Sequence, residues 1–168
     1  MPEQCRDGSG RDGVTQDYEV ARIPKTRASC SLCEDYAGRH GAKPIAVLSC
    51  EGGCLRGEIS RQAANAVCHR LAPDRTVRIC LGGAFTKDTG QRALVRNAER
   101  VVALEGCAIE CASRMMQGVL PERTIEVIHT DRLACFDKHL FGIDAMRRED
   151  VAACADEVAR EIVKTLGV

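Results

Sequence analysis

Tryptophan is absent from this 168-residue chain, and its only aromatic residues are Tyr18, Tyr36, Phe85, Phe136 and Phe141. So few flat rings leave no surface on which nucleic-acid bases could stack. Neither sign of charge is in excess, with 24 Lys plus Arg against 24 Asp plus Glu, so the electrostatic footprint of a nucleic-acid binder is missing as well. No apolar run approaches the roughly 20 residues that cross a bilayer. The opening MPEQCRDGSGRDG is polar and lacks an apolar signal region, which predicts a cytoplasmic chain rather than an exported one. There is no internal repeat and no low-complexity segment. Apolar residues make up 45% of the chain. That is enough to build one compact domain and more than a disordered chain carries. Nucleic acid and membrane are therefore not expected as partners.

What the chain does have is 11 cysteines. In an exported protein that number would suggest disulfides. Here the count is odd, no export signal is present, and the chain is long enough to bury a core without covalent staples. Cysteine in this setting points to metal binding or thiol chemistry.

Three segments differ in character. Residues 1–28 mix charges with Gly, Ser and Thr without an apolar period and read as a flexible leader. Residues 29–42, SCSLCEDYAGRHGA, read as a short loop or turn that carries two cysteines. Residues 43–168 read as a single metal-binding domain. Within it, four β-type runs stand out: Pro44–Ser49, Thr76–Cys80, Arg100–Leu104 and Thr124–Thr130. The first and third are nearly continuous apolar runs, as in strands covered on both faces. Helical patterns lie between and after them, over Glu58–Leu71, Thr89–Glu99, Ala108–Val119 and Glu149–Leu166. Strand alternating with helix implies right-handed βαβ units. The expected fold class is therefore α/β: a three-layer α/β/α domain around a mainly parallel sheet of about four strands, Rossmann-like.

This layout gives the cysteines meaning. Cys50 follows the first run, Cys80 ends the second, and Cys107 follows the third. Ligands of open parallel sheets bind at the carboxyl ends of the strands, and neighbouring strands lie only about 4.8 Å apart. Three cysteines at such ends would converge. Cys111 stands one helical turn beyond Cys107, and Cys54 stands in the same relation to Cys50 if that loop winds helically. Four convergent thiolates suit zinc in tetrahedral geometry, with Zn–S about 2.3 Å, and soft sulfur also suits copper(I) or an iron–sulfur cluster. Helix N-termini after Cys54 and Cys107 would favour thiolate over thiol. The alternative for any one of these cysteines is a small buried hydrophobe.

The run VVALEGCAIECASR at 101–114 resembles the motif that names the DGC-domain family, in which an Asp-Gly-Cys triplet is followed by a second Cys. VLSCEGGCLRGEISRQAAN resembles the family's strand–Cys–Gly–helix opening, RICLGGA its middle Cys segment, and His129-Thr130-Asp131 the end of its late strand. The resemblance covers roughly residues 44–140. It implies a zinc-binding domain whose proposed chelators match Cys50, Cys80, Cys107 and Cys111, and it implies no reaction. The chain departs from the pattern twice. Glu105 stands where the family has Asp, and Cys54 is an extra cysteine that could replace a ligand or add a fifth.

Other features carry competing readings. Cys30 and Cys33 form a C-x-x-C pair that could hold a second metal with Cys54 and His40, form a redox disulfide, or simply be exposed thiols. Cys50 to Arg56 is similar to the oxyanion-binding loop of low-molecular-weight tyrosine phosphatases and the related arsenate reductases. There Cys50 would be the nucleophile, Arg56 would cradle the oxyanion, and Asp131 would be the general acid. Gly57 stands where a hydroxyl residue usually follows the Arg. Gly82-Gly83 lacks the rest of a nucleotide-binding fingerprint. His129 reads as a hydrogen-bonded strand-end histidine, with an outer ligand as the alternative. Cys68, Cys154, Met115 and Met116 read as packing residues, and Cys135 is ambiguous. The leading expectation is a zinc-binding module with a structural, metal-handling or sensing role. The alternative is a thiol enzyme built on Cys50 and Arg56. No protein partner is indicated.

Overall fold

The computed structural model describes residues 17–134 and 136–168, so Cys5 and Cys135 lie outside the described residues. Residues 17–28 are exposed and have no regular secondary structure. The elements that follow are α1 (Ser31–His40), β1 (Ile45–Ser49), α2 (Leu55–Ala66), β2 (Thr76–Arg78), α3 (Leu81–Thr86), α4 (Gly90–Asn97), β3 (Arg100–Glu105), α5 (Cys111–Gln117), β4 (Glu126–His129), α6 (Thr130–Leu133) and α7 (Arg148–Leu166). The four strands make one parallel sheet in the order β2-β1-β3-β4. The fold is thus the three-layer α/β arrangement that the alternating pattern implies.

The strands sort their side chains between two cores, because successive residues of a strand point to opposite faces. Ile45, Val47, Val102 and Leu104 share one core with Leu55, Ile59, Val151, Val158 and Ile162 of α2 and α7. Ala46, Leu48, Val101 and Ala103 share the other with Leu81, Ala84, Leu94, Val95, Ala112 and Met116 of α3, α4 and α5. Every residue of β1 is buried. Each fully buried Val, Leu or Ile contributes about 1.5–3 kcal/mol through removal from water, so these two apolar layers hold the sheet.

Strand order also places a reversal. From β1 the chain steps outward to β2, then crosses back over β1 to β3 and continues outward to β4. Right-handed crossovers in opposite directions put α2 on one face and α3 to α5 on the other. The crevice between the carboxyl ends of β1 and β3 is therefore the topological switch point of the sheet, where open α/β folds bind ligands.

Element boundaries differ from the sequence pattern in instructive places. Residues 31–40, expected as a loop, form α1. None of its residues is fully buried, and only Tyr36 and Ala37 reach the second core, so its apolar signal is short. The helix is also held by a polar contact. The Glu34 carboxylate accepts the Gly90 N–H at 3.0 and 3.1 Å, supplying α4 with the N-terminal acceptor that Thr89 does not provide. The helix expected over Ala108–Val119 begins only at Cys111, because Glu110 takes a left-handed backbone with φ 54°. The first crossover helix starts earlier than expected, at Leu55, and its last turn widens over Val67–Leu71, closed by Ala72 N–H donating to the Val67 carbonyl at 2.9 Å. Two glycines in α3 hid that helix, since each weakens helix propensity by about 1 kcal/mol. Cys68, Cys154 and Met116 are buried in the cores and Met115 lies against one, as expected of packing residues.

Close backbone packing seals the switch point. A β-carbon on Gly57 would stand 2.7 Å from the Gly52 carbonyl oxygen and 2.8 Å from its nitrogen. One on Gly106 would stand 2.9 Å from the Arg56 carbonyl carbon. Only glycine lets the β1 loop, the start of α2 and the β3 loop meet this closely. Gly57→Ala is expected to lower unfolding free energy in urea by about 1–3 kcal/mol. Gly53→Ala, whose added carbon meets nothing within 4 Å, is expected to stay within about 0.5 kcal/mol of the parent chain.

Candidate metal centre

Cys50 leaves β1 at the switch point, and its N–H donates to the Leu104 carbonyl at 2.8 Å, which ties it to β3. Cys107 follows β3 in a tight turn closed by Glu110 N–H donating to the Cys107 carbonyl at 3.2 Å. The left-handed Glu110 then redirects the chain so that Cys111 opens α5. Cys111 is close enough to Cys50, and Cys107 to Cys111, for each pair to interact electrostatically. Cys54 is the N-cap of α2. A β-carbon placed on Gly52 would be 3.5 Å from Cys50 Sγ and 3.6 Å from Cys54 Sγ, so these two sulfurs flank the same point. Cys50 is buried, whereas Cys54, Cys107 and Cys111 are partly exposed.

Cys80 belongs to a different neighbourhood. It follows β2, outside the reversal, and is exposed. Its N–H donates to Gln91 Oε1 at 2.9 Å, and it lines an open cleft of about 450 Å³ together with Cys33, Tyr36, Arg78 and His69. The structure thus brings Cys50, Cys54, Cys107 and Cys111 to the switch point and sets Cys80 against Cys33.

Two of the thiols at the switch point, Cys50 and Cys111, favour the protonated form. Burial pushes the Cys50 thiol up to about 11, only partly offset by the Gly52 and Gly106 N–H groups. Cys111 is also raised, first by burial and then by the Glu105 carboxylate and Cys107. Cys107 stands before α5 rather than in its first turn.

Beside the thiols lies a buried carboxyl group that the sequence marked only as a departure from a motif. Glu105 is fully buried. Its Oε1 accepts the Ser113 N–H at 2.7 Å, while Oε2 has no hydrogen-bond partner among the described residues. A buried carboxylate oxygen without a donor costs about 1–3 kcal/mol or more. The Glu105 carbonyl accepts from Thr130 Oγ1 at 3.0 Å. Thr130 in turn meets Ser60 Oγ at 2.6 Å, and Ser60 donates to the Arg56 carbonyl at 2.9 Å. This chain of hydroxyls fastens the ends of β3 and β4 to α2. His129 ends β4 as a hydrogen-bonded histidine, its Nε2 2.9 Å from Glu110 Oε1 and its Nδ1 4.0 Å from Asp131 Oδ1.

The donor set fits a soft metal in kind: several thiols at one edge, with an unpartnered buried carboxylate oxygen beside them. Among the described residues, no three His, Cys, Asp or Glu side chains are already grouped to hold an ion. Closing a site therefore requires rotation of the half-exposed thiols. The oxyanion-loop arrangement has less to support it. The Arg56 guanidinium donates to the Lys138 carbonyl at 2.7 Å, Gly57 has no room for a side chain, and Cys50 is held as a thiol.

The DGC-domain family model matches residues 46–158, well over half of the chain. The chain belongs to the DGC-domain family. The matched span runs from β1 into α7 and contains all five candidate ligands, while α1 with Cys30 and Cys33 lies before it. Searches of curated proteins and of solved structures give no match. Among the described residues no helix is long and apolar enough to cross a membrane.

The raised thiols set a pH dependence. Cys50 and Cys68 are both pushed up to about 11 from 9.0, each chiefly by burial. Folding favours their protonated forms, so this contribution is fully present below about pH 9 and is lost as pH rises toward 11. Urea unfolding of the metal-free chain is expected to show stability falling across that window. Cys68→Ala should flatten the fall, and an unchanged pH profile in that variant would contradict the assignment.

Proposed function

We propose that this chain is a cytosolic zinc-binding protein that holds the ion at the switch point through Cys50, Cys54, Cys107 and Cys111. The observation that carries this reading is the convergence of thiols at the edge where α/β folds bind ligands: the Cys50 and Cys54 sulfurs flank one point beside Gly52, and Cys111 and Cys107 lie near enough to bear on this group electrostatically. When bound, zinc would supply a covalent-strength cross-link between the β1 and β3 loops. Four thiolate donors make a closed tetrahedral site and leave no position for water, which favours a structural or metal-handling role over hydrolysis.

Each residue has a distinct part. Cys50 is the anchor, since it is the buried thiol of the group, and Cys111 faces it from the start of α5. Cys107 and Cys54 are half-exposed and close the site by turning inward. Glu105 acts as a positioning residue: its Oε1 fixes the first turn of α5 through Ser113, and its Oε2 is an unpartnered acceptor near the thiols. Cys80 is left to the neighbouring cleft. Because Cys50 and Cys111 are held as thiols without metal, binding must expel their protons, so affinity should fall steeply as pH drops.

Elemental analysis of protein purified without chelator tests the reading. One zinc per chain is expected. Cys111→Ser and Cys107→Ser should lose the metal, and Cys80→Ser and Cys154→Ala should keep it. Glu105→Gln should weaken affinity about 10–100-fold without removing the site. Iron or copper in place of zinc would reassign the ion. Metal-free protein with all its thiols open to alkylation would overturn the proposal.

A further inference from the structure

The second group of thiols lies ahead of the family domain, at the start of α1. Cys30 is the N-cap and Cys33 stands one turn on, with Cys33 N–H donating to the Cys30 carbonyl at 3.1 Å. The two thiols are near enough to shift each other's ionisation. Cys30 is exposed and Cys33 partly so, which leaves the pair accessible. Two side chains one turn apart lie within the span that a disulfide can bridge.

The pair does not sit on a loose arm. Glu34 caps α4, Lys87 Nζ donates to the Ala28 carbonyl, and a β-carbon on Gly90 would collide with Ala37 at 2.5 Å. These contacts hold the start of α1 at the mouth of the cleft that Cys33 shares with Cys80.

We propose that Cys30 and Cys33 form a thiol–disulfide exchange site, with Cys30 as the nucleophile and Cys33 as the resolving thiol. The substrate class is an accessible disulfide, RSSR. The Cys30 thiolate attacks one substrate sulfur, forming a mixed disulfide and releasing RS⁻, which takes up the proton that Cys30 lost. Cys33 then gives up its proton and attacks the Cys30 sulfur. The second RS⁻ leaves and takes that proton. The chain loses two electrons and two protons to become an internal disulfide, and RSSR becomes two RSH. The roles follow from the surroundings of the two thiols. The Cys33 N–H and thiol, with the Leu32 N–H, hold the Cys30 thiol below its usual range. Cys33, beside Cys30, is raised. The thiol that ionises more readily attacks, and its partner resolves.

The test uses the full chain and glutathione disulfide as the probe. The protein is equilibrated in buffers of stepped glutathione disulfide to glutathione ratio, quenched in acid, alkylated and cut with trypsin. Residues 28–39 then carry Cys30 and Cys33 on one peptide, and residues 79–87 carry Cys80. The 28–39 peptide should pass from two alkylated thiols to an internal disulfide across the series. Cys33→Ser should accumulate glutathione on Cys30, and Cys30→Ser should not accumulate it on Cys33. Cys107→Ser, which removes a zinc ligand under the reading above, should leave this exchange unchanged, so the two proposals can fail separately. Thiols that stay reduced throughout, a link from either cysteine to Cys80, or zinc protecting the pair would each overturn the inference.

Discussion

The carboxyl edge of the sheet depends on a close approach of backbones that only glycine permits. Gly57 lies against Gly52, and Gly106 against Arg56, with no room for a single added carbon. This contact welds the β1 loop to the β3 loop, and with them the chain segments that carry Cys50, Cys54 and Cys107. The two hydrophobic cores set the strands, but they would tolerate a looser edge. The glycine contact determines how near the thiols can come to one another. Large side chains there would leave the sheet intact and spread the cysteines apart.

The reversal of strand order at β1 works with that contact. It separates cysteines that look equivalent along the chain. Cys50 and Cys107 flank the crevice between β1 and β3, while Cys80 follows the strand on the outer side of β1. Strand-end position alone therefore does not tell which side of β1 a cysteine occupies; the order of the strands does. The same geometry leaves Cys80 beside the cleft that α1 borders, and α1 joins the domain through the Glu34 carboxylate together with Tyr36 and Ala37.

Much of this was legible in the residues, and the gaps have physical causes. The apolar runs of β1 and β3 announced buried central strands because both of their faces are covered. The stripe of Val151, Ala155, Val158 and Ile162 announced α7. The strand order was not legible, because βαβ units alone do not say on which side of β1 the third strand inserts. Helix α1 was invisible because it docks by its own Glu34 capping α4 and by only two partly buried residues, Tyr36 and Ala37. Cys107 and Cys111 looked like one helical face, and only the left-handed turn at Glu110 shows them as a turn and a helix start. The buried, half-satisfied Glu105 had no sequence signal beyond its place before Gly106, since burial of a carboxylate cannot be read from a chain whose other acids are mostly exposed.

Glu110 joins two jobs that one residue rarely performs together. Its backbone occupies a region that costs an ordinary side chain about 1–2 kcal/mol, and its carboxylate binds His129 across the edge of the sheet. Glycine or asparagine would relieve the first and abandon the second. Through evolutionary drift, positions 110 and 129 should therefore change as a pair: where glycine or asparagine takes the turn, the histidine loses its tether and has no reason to persist.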